Sequence, residues 1–135
     1  LNETLGEYEH ISGRYQTALI PARTEVPRYY ARKSLFYTTD PIANSLSGQK
    51  TVVYSCWSDM EHSGSYVYHG NWETIDNILL TKELFDSTGL SYDGAEVITK
   101  AFLLNQDGLP LRWDSRTMSG YSDHLPLIAR FSLHK

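Results

Sequence analysis

Cysteine is nearly absent: Cys56 is the single one in 135 residues. That excludes an internal disulfide framework and any zinc or iron–sulfur site built from several thiolates. Long apolar runs are missing too. None approaches the roughly 20 residues that a membrane-crossing helix needs, so no membrane span is expected. A surplus of positive charge is also lacking. The 12 Lys+Arg face 16 Asp+Glu, a formal net charge of −4, which argues against clamping nucleic acid through bulk charge. No internal repeat, low-complexity tract or Pro/Gly/Ser linker divides the chain. The sequence opens on Leu1 without Met, and a processed or truncated piece is expected.

What is present suffices for a packed interior. Hydrophobic residues make up 41%, and the length suits one modest domain. Residues 59–96 hold eight acidic groups and a single basic one, Lys82. A solvated acidic face is the expected meaning, with a metal or cationic site as the alternative.

Most of the chain reads as strand. Residues 51–57 are rich in β-branched and aromatic side chains. Residues 65–69 and 72–80 flank Gly70-Asn71, a pair suited to a hairpin turn. Residues 96–104 form a fourth candidate. In residues 125–133 the apolar Leu125, Leu127, Ala129, Phe131 and Leu133 fall on one face. A helix is expected over residues 28–37, with Ala31 and Leu35 on one face, ending before Asp40-Pro41. A shorter helical turn is expected between Thr81 and Gly89. The fold class is therefore α+β and sheet-dominated, with mostly antiparallel strands and few helices.

Two segments carry chemistry. In Gly120-Tyr121-Ser122-Asp123-His124-Leu125-Pro126, an acid and an imidazole sit side by side in a loop before the best-patterned strand. It is not a serine-nucleophile elbow, because His124 stands where the second glycine belongs; an ordinary polar turn is the competing reading. In Trp72-Glu73-Thr74-Ile75-Asp76-Asn77-Ile78-Leu79-Leu80, the Asp76 carboxylate is embedded in an apolar strand. It needs a positive or hydrogen-bonding partner there, unless the strand is an edge that lets it reach water. In the simplest joint use, Asp76 accepts a hydrogen bond from one ring nitrogen of His124 and favours the charged imidazole, so that the other nitrogen is expected to be a donor. Asp123 is then free for a metal ion or its hydration water.

These residues resemble a family. Trp72-(x)3-Asp76-Asn77-Ile78-Leu79-Leu80, followed by Ser122-Asp123-His124-Leu125-Pro126, is similar to the closing half of an endonuclease/exonuclease/phosphatase domain of the deoxyribonuclease-I-like type. The resemblance runs from about Tyr66 to Phe131, and Leu109-Pro110-Leu111-Arg112 also suits it. It implies the second half of a four-layer α/β sandwich. It also implies hydrolysis of a phosphorylated substrate, a phosphodiester or phosphomonoester of open class. His124 would contact the scissile phosphate, Asp76 would orient and charge His124, and Asp123 would lie beside a divalent ion or position the attacking water. The implied ion is Mg2+ or Mn2+, hard cations that favour oxygen ligands. Arg112, Arg116 and Lys100 are basic groups available to a phosphorylated ligand.

The family's first half carries an Asn, a metal-binding Glu and a Gly-Asp-x-Asn segment, and no Gly-Asp pair occurs in these 135 residues. The expectation is that residues 1–135 form one partial domain whose N-terminal half is missing. Such a chain would bind the ion weakly or not at all and hydrolyse nothing appreciable. Its uncovered sheet face would favour self-association. Two alternatives stand beside this reading. One is a non-catalytic binding module, such as a Tyr/Trp-rich β domain for carbohydrate. The other is a domain that keeps the fold without the chemistry. Of the remaining residues, Asp59-x-Glu61-His62 matches no standard metal spacing, and Cys56 is expected to be a buried, inert thiol.

Overall fold

A computed structural model describes residues 19–21, 35–39 and 51–135. Among them eight strands are found, and no helix is longer than a turn of 3-10 geometry. The strands are β1 (Leu19–Pro21), β2 (Leu35–Thr38), β3 (Thr51–Ser55), β4 (Tyr66–Tyr68), β5 (Asn71–Glu73), β6 (Leu79–Leu80), β7 (Leu90–Val97) and β8 (Leu127–Leu133). The sheet-dominated reading holds. Three of the five strand pairings are antiparallel. No described helix is long and apolar enough to cross a membrane.

One sheet has the order β1-β2-β3-β6, with β1, β2 and β3 parallel and β6 antiparallel to β3. The last three residues of the expected 28–37 helix therefore belong to a strand, while residues 28–34 lie outside the described residues. Leu35-Phe36-Tyr37-Thr38 is aromatic and β-branched enough to prefer the pleat. Phe36, paired with Val52, is completely buried, a gain of about 1.5–3 kcal/mol for a side chain of that size.

The 51–57 strand ends sooner than its composition suggests. At Ser55 the chain turns into a 3-10 turn, Cys56–Asp59, whose first residue is fully buried. Burial pushes the Cys56 thiol up, out of the range in which it would be a ready nucleophile. The helical turn expected after Thr81 is a 3-10 turn over Lys82–Phe85, and Thr81 makes no side-chain cap.

The two longest strands, β7 and β8, form a separate antiparallel ribbon. Here the 96–104 expectation is corrected: the strand starts at Leu90 and stops at Val97, and Ala101–Leu103 is a 3-10 turn. Asp93-Gly94 forms a β-bulge, with the register shifting between Tyr92 and Gly94. The bulge also limits the expected apolar face of β8. Leu127 and Ala129 pack inward, whereas Phe131 and Leu133 are exposed. The core joins the ribbon to the first sheet through Tyr54, Cys56, Met60, Leu80, Ala95, Val97 and Leu125.

Candidate functional site

The β4–β5 hairpin sets the stage. Its turn is His69-Gly70, one residue earlier than the expected Gly70-Asn71, and both turn residues have positive φ, 48° and 83°. That is the left-handed pair that a tight two-residue hairpin requires. Just before β4, Gly64 lies so close to β5 that a Cβ there would be 2.6 Å from the Glu73 carbonyl oxygen. The close approach lets the Ser65 N–H donate to that carbonyl at 3.0 Å.

After β5 the chain leaves the sheet. Asp76 was expected inside a strand over 72–80; it lies instead in the non-strand segment between β5 and β6. Side chains replace strand partners along this stretch. Trp57 Nε1–H donates to the Asp76 carbonyl at 2.8 Å, and Asn77 Nδ2 donates to the Thr74 and Ile75 carbonyls. The polypeptide thereby satisfies its carbonyls without a ladder and turns the Asp76 side chain toward the 122–127 segment.

That segment is pinned at three points. The Ser122 hydroxyl accepts from the His124 N–H at 3.0 Å, His124 bridges Tyr66 in antiparallel register, and Leu125 N–H donates to the Ser65 carbonyl at 2.7 Å. Leu125 is buried and anchors the segment in the core. Gly120, at φ 93°, makes the approach possible, because a Cβ there would fall 2.2 Å from the Arg112 carbonyl oxygen.

The result joins the two sequence signals. His124 Nδ1–H donates to Asp76 Oδ2 at 2.7 Å, with both side chains a little over one-third exposed. The same oxygen accepts the Ser65 hydroxyl at 2.5 Å, and Ser65 is completely buried. Ser65 was not found by sequence reasoning; a serine opening a Tyr-Val-Tyr strand carries no signal of its own. The Tyr66 ring covers one face of His124, with centroids 4.7 Å apart and a 31° tilt. With Nδ1 committed to the carboxylate, the free ring nitrogen is Nε2. An open cleft of about 670 Å³ runs along Asp76, Asn77, Ser122 and His124, with Ile78 and Leu127 on its apolar side.

Asp123 does not join this pair. Its carboxylate faces Arg112 Nε at 3.8 Å, and both side chains are exposed. A pair this open contributes little to stability. The described residues bring no three His, Cys, Asp or Glu side chains together as a metal cluster. Asp123 offers one oxygen ligand of the kind Mg2+ prefers, and one carboxylate already facing a guanidinium is not a cation site. The described residues alone do not fit a bound ion.

The acidic Asp59-x-Glu61-His62 stretch has a structural use. Asp59 accepts the Tyr54 hydroxyl at 2.8 Å and the Tyr92 hydroxyl at 2.6 Å, one on each carboxylate oxygen. Burial, with Asp59 adding to it, pushes the Tyr54 phenol up to about 12 and drives Tyr92 upward as well. His62 Nδ1 is bonded to the Gly64 carbonyl at 2.6 Å and its ring meets Trp72 edge-on.

No family model matches the chain, and neither a curated protein nor a solved structure does.

Proposed function

We propose that the chain carries the His–Asp part of a phosphoesterase site, in the second half of a four-layer α/β sandwich of the endonuclease/exonuclease/phosphatase type. The observation that supports this reading is the Asp76–His124 hydrogen bond at 2.7 Å, in the lining of an open cleft. Phosphoester hydrolysis needs little covalent help. Most of its barrier is lowered by positioned positive charge and donors at the phosphoryl oxygens. His124 Nε2 is the group that donates to a phosphoryl oxygen of the bound phosphorylated substrate, and the developing negative charge is stabilised there. Asp76 takes the Nδ1–H, and Nε2 donates to the phosphoryl oxygen when it carries a proton as well. Ser65 holds Asp76.

Mg2+ or Mn2+ belongs to this proposal only for a complete domain, because the described residues do not fit the ion by themselves. The carboxylates of that ion site, and the base for the water, would come from an N-terminal half of the domain. The isolated chain is then catalytically incomplete. Leu133 and Leu90, paired across the β7–β8 ribbon, are 75% and 48% exposed, and they are the patch through which self-association is proposed.

A carbohydrate-binding module is the second reading, and exposed rings favour it: Trp113 and Tyr121 are 48% and 59% accessible. Hydrolysis of bis(p-nitrophenyl) phosphate with Mg2+ or Mn2+ tests the first reading. The 135-residue chain should show no turnover above background, and a longer polypeptide carrying the upstream sequence should show turnover that His124→Ala removes. Turnover by the 135-residue chain, lost in His124→Ala, would overturn its incompleteness. A longer polypeptide whose activity is indifferent to His124 would overturn the phosphoesterase site.

A further inference from the structure

A single hydrogen bond tethers an imidazole without fixing its plane, because the ring can still swing about the Nδ1···Oδ2 axis. At His124 a second contact opposes that swing. The Tyr66 ring lies against one face of the imidazole, centroids 4.7 Å apart and tilted by 31°, within the distance range of offset stacking. The Tyr66 backbone is itself locked. It bridges His124 on one side and pairs with Glu73 of the hairpin on the other. Ser65, the preceding residue, reaches the far partner of the pair, Asp76 Oδ2. Two consecutive residues at the start of β4 thus hold the two members of the pair, one from behind the carboxylate and one across the ring.

We propose that Tyr66 is a positioning residue for His124: its ring closes one face of the imidazole and fixes the plane in which Nε2 is presented to a phosphoryl oxygen. The proposal rests on the phosphoesterase reading of the Asp76–His124 pair. A tyrosine face is also a favourable neighbour for a ring that carries positive charge, so the same contact serves the donating form of His124. Mere packing would fill the space equally well with an aliphatic side chain. A positioning role would not survive that exchange.

The full 135-residue chain, with 15N-labelled histidine, tests this at fixed pH. The nitrogen spectrum of the His124 ring reports its tautomer and mobility, and a series with inorganic phosphate reports affinity at the same ring. Tyr66→Phe should keep the parent ring-nitrogen spectrum and the parent affinity. Tyr66→Leu and Tyr66→Met should raise the mobility of the ring, read in the relaxation of its Nε2 signal, and weaken phosphate by about two- to tenfold, the range expected from an aromatic pair. Backbone amide spectra of the β4–β5 hairpin show whether each variant is folded, and Tyr66→Met retains the side-chain bulk if Tyr66→Leu does not fold. A folded Leu or Met variant with an unchanged ring spectrum and unchanged affinity would overturn the proposal. If His124→Ala binds phosphate as well as the parent chain, the phosphoesterase reading itself fails. In that case a fixed ring in the Leu and Met variants refutes the positioning role independently.

Discussion

His124 Nδ1 lies 2.7 Å from Asp76 Oδ2 although 48 residues separate the two along the chain. Closing so long a loop has an entropic cost, and the bond alone is too small to offset it. The core residues Leu80 and Leu125, 4% and 2% exposed, stand beside the pair in sequence and provide the burial that does. The polar pair is held by the core rather than holding it.

Asp76→Ala removes the acceptor shared by Ser65 and His124. The Ser65 hydroxyl is fully buried and would be left without its partner. An orphaned buried donor costs about 1–3 kcal/mol. The variant should unfold at lower urea than the parent chain. Adding Ser65→Ala to it should restore part of the loss, since no orphan then remains. Equal and additive losses in the two single variants would contradict the shared-oxygen geometry.

Gly120→Ala should destabilise the loop that presents His124. Its φ of 93° disfavours any side chain, and the new Cβ would meet the Arg112 carbonyl at 2.2 Å. Overpacking and a left-handed backbone together should cost about 1–3 kcal/mol. Thermal unfolding measures the loss, and amide shifts of Leu111 and Tyr121 should move with it, because Tyr121 N–H donates to the Leu111 carbonyl at 2.7 Å. A thermal midpoint equal to that of the parent would contradict this packing.

Alkaline pH should unfold the chain through the Asp59 cluster. The Tyr54 phenol is raised from 10.0 to about 12 by burial and by Asp59, and Tyr92 is raised in the same direction. A folded pKa above the unfolded one means stability that is complete below about pH 10 and lost as pH rises through the folded value. Ultraviolet titration should show these two phenols ionising well above the ordinary tyrosine value of about 10, together with a fall in urea midpoint. Asp59→Asn should bring the Tyr54 ionisation down toward that ordinary value. Ionisation of Tyr54 and Tyr92 at the ordinary value in the folded parent would contradict it.

The site was more legible in the sequence than the elements that carry it. Asp76 stood out as a carboxylate among Ile75, Ile78, Leu79 and Leu80, and His124 as an imidazole beside Asp123 ahead of a patterned strand. The structure brings Asp76 and His124 together and leaves Asp123 to Arg112. Ser65 and Tyr66 could not be found, because what they do depends on a hairpin folding them back over residues 11 and 58 positions away. Periodicity reports faces, not such returns. The strand β7 was placed late because Ser91, Asp93 and Gly94 are poor strand formers on their own. Tertiary pairing with β8 and a bulge at Gly94 overrode that preference. Ala31 and Leu35 are spaced for a helix over 28–37, whereas in its described part, residues 35–37, Phe36 gains more from the interior of a parallel sheet.

The most direct measurement is a series of inorganic phosphate additions to the 135-residue chain, read at the ring nitrogens of the described histidines. His62, His69 and His134 serve as internal controls within the same sample. The account predicts a saturable shift at His124 Nε2, absent from the other three and lost in Asp76→Ala. A His124 ring that does not respond, or four histidines that drift together without saturation, would contradict a phosphate site at the Asp76–His124 pair.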